Sequence, residues 1–263
     1  MKSSAMIHYG NQIVYLKDLL RELCVRDIKL RYSRSYLGII WSLVYALAQM
    51  RILRFVFGAV LPLGIPNYAA FLYIGILAWG WLSASLNQAT GSIIKSREIV
   101  RQSGFPLAVI PVTSLLTNLL DFVLAFPILL YFLYSGGASL TKTVVFFPLV
   151  IVVQFLFMLG LAYLLAALQV LFHDTRHIVR VALQLGFFVS PIFYDASVVP
   201  EKYMLFYRLN PFAPIIDAYR DVLIDGVPPN FNALLVISGL SLLLIYFGYT
   251  FFAKTRDRFV EEL

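Results

Sequence analysis

The chain has 263 residues, of which 60% are hydrophobic and only 13% charged, against about 45–50% and about 25% in an ordinary soluble domain. This excludes a soluble globular protein, because a chain of this length folded in water must still cover its surface with polar groups, whereas lipid removes that requirement. A net charge of +7 would suggest nucleic acid in a soluble protein, but here its distribution decides, and a single cysteine, Cys24, excludes a disulfide framework or a cysteine-rich metal site.

Residues 1–34 are basic. Within them Ile13, Leu16, Leu19, Leu20 and Leu23 recur at spacings of three and four, with Lys17, Asp18, Arg21 and Glu22 between them. This pattern predicts an amphipathic helix lying in a membrane interface, as a plain anchor or as a docking element for a cytoplasmic partner. The stretch "RDIKLRYSRSYLGIIWSL" then places Arg26, Lys29, Arg31 and Arg34 directly before an apolar segment. A DNA-binding arm, a signal peptide and the cytoplasmic foot of a membrane helix would all give that contrast. The long polar and amphipathic lead argues against a signal peptide, and no basic surface remains away from the bilayer for nucleic acid.

A membrane-spanning helix needs about 20 mostly apolar residues. Six segments qualify: Leu37 to Val60, Tyr68 to Ile94, Leu107 to Tyr134, Thr143 to Phe172, Ile178 to Tyr194 and Phe231 to Ala253. The implied fold is an all-α integral membrane protein. A six-helix domain over 35–253 is flanked by the N-terminal segment and a tail at 254–263. Orientation follows the positive-inside rule. With both termini in the cytoplasm, the inner segments hold seven, three, two and three Lys or Arg residues, against four on the outer side.

In the first span, Arg51 and Arg54 share one helix face and need a cavity, a partner or an anionic cargo, although Arg54 can also snorkel. The loop at 95–106 contains a Gly104–Pro106 turn and a short helical stretch, either a docking element or a connector. Asp121 is a lone carboxylate in the third span, a pattern more typical of packing than of catalysis. "HDTRH" spaces His173 and His177 for a metal, but nothing beyond Asp174 offers a third ligand. The outer segment 195–230 is rich in proline yet apolar. It reads as two re-entrant helices, roughly Glu201 to Leu209 and Phe212 to Ile224, or as a flat interfacial cap. No paired carboxylates, glycine-rich phosphate loop or nucleophile motif occurs, so the chain offers neither an enzyme's catalytic group nor a cofactor or ATP site.

Three stretches in this order, "RDIKLRYSRSYLGIIWSL", "SGFPLAVIPVTSLLTNLLDFVLAFPILL" and "FHDTRHIVRVALQLGFFVSPIFYDASVVPEKYMLFYRLNPFAPIIDAYRDVL", resemble the permease subunit of bacterial type-2 ATP-binding-cassette polysaccharide exporters, the class that exports O-antigen, teichoic acid and capsule. The resemblance implies a homodimer in the bacterial inner membrane, with two copies of a separate ATPase subunit that binds ATP and Mg. It implies an interface helix over about Asn11 to Leu30 and a coupling helix carrying Arg97, Glu98, Ile99, Val100, Arg101 and Phe105. It also implies outer gate helices in the proline-broken segment. The cargo would be a lipid-linked polysaccharide, received by its phosphate at Arg31 and Arg34 and passed along a channel with Tyr45, Arg51, Arg54, Tyr73, Phe188, Phe193 and Tyr194 as lining candidates. Two features depart from the family pattern: the polar "RILR" in the first span, and His173–Asp174 where an Arg–Asp pair is common. A permease for drugs or ordinary lipids, and a membrane enzyme acting on lipid-linked sugars, are the alternatives.

Overall fold

The computed structural model describes residues 2–32, 40–56, 64–102, 104–137 and 140–262. Every regular element among them is helical. A long helix, α1 (Lys2–Tyr32), precedes α2 (Ile40–Phe55) and α3 (Tyr68–Thr90). Two short turns, α4 (Ser92–Lys95) and α5 (Arg97–Val100), lead to α6 (Val109–Ser135). A 3-10 turn at Lys142–Phe146 runs into α7 (Phe147–Leu171), followed by α8 (Thr175–Val189), α9 (Met204–Leu209), α10 (Ala213–Arg220), α11 (Phe231–Lys254) and α12 (Arg256–Glu262).

Among the described residues four helices are long and apolar enough to cross a membrane: α3, α6, the Lys142–Leu171 unit and α11. The other two expected spans contain α2 and α8, of 16 and 15 residues. At 1.5 Å per residue these are about 24 and about 22 Å long, shorter than a hydrocarbon core of about 30 Å. Both carry cations as well, Arg51 and Arg54 on α2 and Arg176 and Arg180 on α8.

The bundle is organised around α3. Its hydrophobic window is 72% buried, against 22% for α11, because α2, α6, α7, α8 and α10 all pack on it while α11 packs mainly on α7. In an apolar environment each polar group must find its partner inside the protein. The Gln154 amide donates to the Ala78 carbonyl at 2.9 Å, joining α7 to α3, and the Trp81 indole N–H donates to the Leu115 carbonyl at 3.2 Å, joining α3 to α6. The hydroxyls of Thr90, Thr113, Thr117 and Ser241 donate to carbonyls one turn back in their own helices.

The connection 91–108 marks one end of the bundle, and 136–141 marks the other. At that second end α10 inserts beside α3 and α7, burying Ile215, Ile216 and Tyr219, while α9 leaves Leu205, Phe206 and Leu209 exposed. Arg220 fixes this arrangement. Its side chain is 4% exposed, lies 3.4 Å above the Phe71 ring and donates to the carbonyls of Pro191 and Ile192 at 2.6 and 3.0 Å. Burial lowers the guanidinium to about 10, opposed first by Asp217 at 3.7 Å, so it stays charged at neutral pH. Burial also raises the Asp217 carboxyl.

At the connection end, Ile93, Val100, Leu107, Ile110, Val170 and Phe252 form a second small core. Residues 254–263, read from sequence as a tail, supply α12, whose Phe259 is fully buried against Phe252 at a ring distance of 5.1 Å. Across the α7–α11 contact two glycines let the backbones touch: a Cβ on Gly248 would lie 2.4 Å from the Gly160 carbonyl oxygen, and one on Gly160 would lie 2.6 Å from Ile245 N. Gly160→Val is therefore expected to cost about 1–3 kcal/mol by overpacking, seen as a lower thermal midpoint of the detergent-solubilised protein. An unchanged midpoint would show that α11 separates without penalty.

Candidate functional site

Helix α3 is buried almost all round, with one exception. Gly80 and Ala84 are exposed, Ser83 and Asn87 half-buried, and the four form a stripe along one side of the helix. This stripe floors a cavity of about 550 Å³ between α2, α3, α6 and α8. From α2 come Tyr45 and Gln49, four residues apart and so on one face; from α8 come Arg180, Gln184, Phe187 and Phe188; from α6 come Asn118, Asp121 and Phe122. Polar groups collect toward the end of the bundle that carries the 91–108 connection, where Asn87, Asn118 and Arg180 lie. Toward the other end the walls turn aromatic, and Trp79 stands edge-on to Phe187 at 6.4 Å and to Phe212 of the α10 N-terminus at 5.3 Å. Polar stripes facing hydrocarbon would cost several kcal/mol, and their convergence from four helices gives these groups a common cavity in place of lipid.

The polar end is bordered by a charged network. Arg31, near the end of α1, donates to Asp121 Oδ2 at 2.8 Å, to Asn118 Oδ1 at 3.1 Å and to the Gln88 side-chain oxygen. The Asn118 amide donates to that same Gln88 oxygen at 3.0 Å, and Gln88 donates to Asp27 at 3.4 Å. These bonds tie α1 to α3 and α6. Apolar contact supports them: Leu23 is buried and Leu19 and Leu20 half-buried, while Leu16 stays exposed. Half-buried Cys24 is a packing residue here, its thiol pushed up by burial.

The residues proposed from sequence thus divide. Tyr45 and Phe188 share the cavity. Arg51 and Arg54 do not: at about 100° per residue they point to the other side of α2 from Tyr45, into a separate cleft beside Ile128 and Tyr131. Tyr73 lines neither, being fully buried with its ring 5.4 Å from that of Phe132. Phe193 and Tyr194 follow the α8 break, where Phe193 meets Phe187, Phe188 and Tyr194 in tilted and edge-on ring contacts and the Tyr194 hydroxyl donates to the Val189 carbonyl at 2.6 Å. Arg31 sits in the network just described, whereas Arg34 lies outside the described residues, as does the Ile13 side chain. His173, Asp174 and His177 are exposed around the start of α8.

A family model described as ABC-2 type transporter matches residues 18–224, from the middle of α1 to the turn after α10. The chain belongs to the ABC-2 transporter family. It is 31% identical over 260 residues to the O-antigen export system permease protein RfbA of Myxococcus xanthus, covering 98% of this chain and all of that protein. It is also 31% identical over 250 residues to an O-antigen export system permease protein RfbA of Klebsiella pneumoniae, covering 95% and 96% of the two chains. Similarity to the polysialic acid transport protein KpsM of Escherichia coli is lower, 21% over 246 residues, covering 92% and 94%.

The stretch matched by the ABC-2 model contains the cavity, the Arg31 network and the 95–106 loop. In that loop Val100 is buried in the second small core, Ile99 and Phe105 are half-buried, and Arg97, Glu98 and Arg101 are exposed. The Arg256 guanidinium near α12 reaches the Phe105 carbonyl at 3.5 Å, so the loop rests on a folded base.

Sequence reasoning missed the partnership of Arg31 with Asp121 and the role of Gln88 and Asn118. A lone carboxylate in an apolar helix needs a cation, and that demand was the available clue. The pair is partly exposed, so a double-mutant cycle of Arg31→Gln and Asp121→Asn is expected to give a coupling of about 1–2 kcal/mol. The measurement is denaturation of the solubilised protein. Strictly additive single effects would show that the two ends are not energetically joined.

Proposed function

We propose that the chain is the membrane subunit of an ATP-driven exporter that moves a lipid-linked, O-antigen-like polysaccharide out of the cytoplasm across the bacterial inner membrane. Two copies form the channel, and two copies of a separate ATPase subunit, which binds ATP and Mg, work beneath them. The carrying observation is the convergence of polar and aromatic side chains from α2, α3, α6 and α8 on one cavity of a predominantly apolar chain. Sugars present hydroxyls and apolar ring faces together, and amides beside aromatic rings answer both. Near full-length similarity to proteins named as O-antigen export permeases supports the same cargo class.

In this reading both termini and the 91–108 connection are cytoplasmic, in line with the excess of Lys and Arg there. The six helical segments α2, α3, α6, α7, α8 and α11 cross the membrane, the short α2 and α8 packed against the second copy. Helix α1 lies in the inner interface, α5 with its exposed Arg97, Glu98 and Arg101 is the ATPase contact, and α9 and α10 gate the outer end through Phe212 and Trp79. The carrier phosphate is received at Arg31, where it competes with the Asp121 carboxylate for one guanidinium. A phosphate bears more charge and more acceptor oxygens than a carboxylate, and the network is open enough for the exchange.

Two outcomes test this. ATPase activity of the permease co-purified with its ATPase partner in lipid is expected to rise with lipid-linked polysaccharide and not with carrier lipid alone; equal stimulation by both would favour a lipid permease instead. Charge reversal at Arg97 and Arg101 is expected to leave ATP hydrolysis running while export falls by about tenfold or more, as the loss of charged contacts at an interface does. Export at the wild-type rate would remove α5 from the coupling role.

A further inference from the structure

A second cavity, of about 890 Å³, lies in the cleft between α2, α3 and α6 at the end of the bundle opposite the 91–108 connection. Arg51 and Arg54 stand on its rim with Tyr68 and Tyr131. Arg54 is the last residue but one of α2, Tyr68 is the first of α3, and Tyr131 is one turn from the end of α6, so the four polar groups lie at one level near the helix ends. Both arginines are exposed, and neither has a hydrogen-bond or ion-pair partner among the described residues. The Tyr68 hydroxyl donates to the Phe193 carbonyl at 2.9 Å, leaving its oxygen free to accept. The remaining walls are apolar: Leu47 and Ile128 lie about one turn nearer the middle of the bundle than Arg51 and Tyr131, with Met50 and Phe132 beside them.

Two cations one helical turn apart repel each other unless an anion lies between them, and guanidinium groups bind phosphate oxygens through paired N–H donors. An inorganic anion would use the rim and leave the apolar wall wet. An amphiphile uses both, with its hydrocarbon running from the rim toward the middle of the bundle, the direction in which a lipid tail runs from its headgroup. We propose that this cleft is a binding site for a phosphate-bearing lipid, with the headgroup on Arg51 and Arg54 and a chain along Leu47, Ile128 and Phe132. The location of the site is independent of the export reading; its role rests on it, as the place where the anionic headgroup of an exported carrier, or a bilayer phospholipid that precedes it, is held at the outer end.

The test is native mass spectrometry of the full chain, delipidated in detergent and titrated with phosphatidylglycerol, with diacylglycerol of the same chains, and with inorganic phosphate. One phosphatidylglycerol per chain is expected, weakened about tenfold or more in Arg51→Gln/Arg54→Gln and retained in Arg51→Lys/Arg54→Lys. Diacylglycerol and inorganic phosphate are expected to bind far more weakly. If the double glutamine variant is not recovered, Arg54→Gln alone, at the helix end, reads the same loss. Unchanged phosphatidylglycerol binding in the glutamine variant would overturn the proposal. So would phosphate binding as tight as the lipid, or loss of a dimer mass with an unchanged lipid count, which would assign the arginines to a contact between copies. None of these readouts depends on export, so failure here and failure of the exporter reading are distinguishable.

Discussion

A single buried guanidinium holds the end of the bundle opposite the 91–108 connection in shape. Where α8 stops at Ser190 the chain turns through Pro191, and the carbonyls of Pro191 and Ile192 would face an apolar interior without partners. Arg220 donates to both and lies against Phe71. Removing such a group would leave these buried acceptors without a donor, a costly defect in a packed interior. Because Arg220 ends α10, the same contacts place Phe212, just before α10 begins, edge-on to Trp79. The position of Phe212 against Trp79 is thus tied to hydrogen bonds made more than one turn away.

The charged group at the other end has a different character. Arg31 keeps 30% of its side chain exposed and Asp121 21%, so water screens their attraction and the cost of parting them is modest. Arg220 is desolvated and bound to backbone carbonyls, whereas Arg31 is bound to side chains. The two ends of the bundle are thus held by charged groups of different burial.

Within the ABC-2 family, the cavity wall bears on the choice between a polymer and a small apolar cargo. Gln49, Arg180 and Gln184 present polar groups to the cavity that a purely hydrocarbon ligand would not answer, while Trp79, Phe187 and Phe188 offer flat faces without directional demands. A polymer that slides must find such contacts repeatedly and hold none of them tightly.

Much of the fold was legible in the sequence. The apolar segments at Tyr68, Leu107, Thr143 and Phe231 each became a long helix, because hydrophobic length alone dictates a backbone that satisfies itself in lipid. The amphipathic lead before residue 34 became α1, and the proline-broken segment became α9 and α10 near the expected bounds. What the sequence could not give was phase and partnership. Arg51 and Tyr45 sit six residues apart and were grouped as channel-lining, but helix rotation sends them to different cavities. Tyr73 looks like any other aromatic until packing buries it, and residues 254–263 look like a tail until Phe259 finds Phe252. Arg31 and Asp121 are 90 residues apart, and so are brought together only by the docking of α1 on α6. Composition and local pattern determined that this chain forms helices in a membrane; which side chains meet was decided by the tertiary structure, since a contact between distant segments depends on helix phase and crossing, and neither is encoded in any single segment.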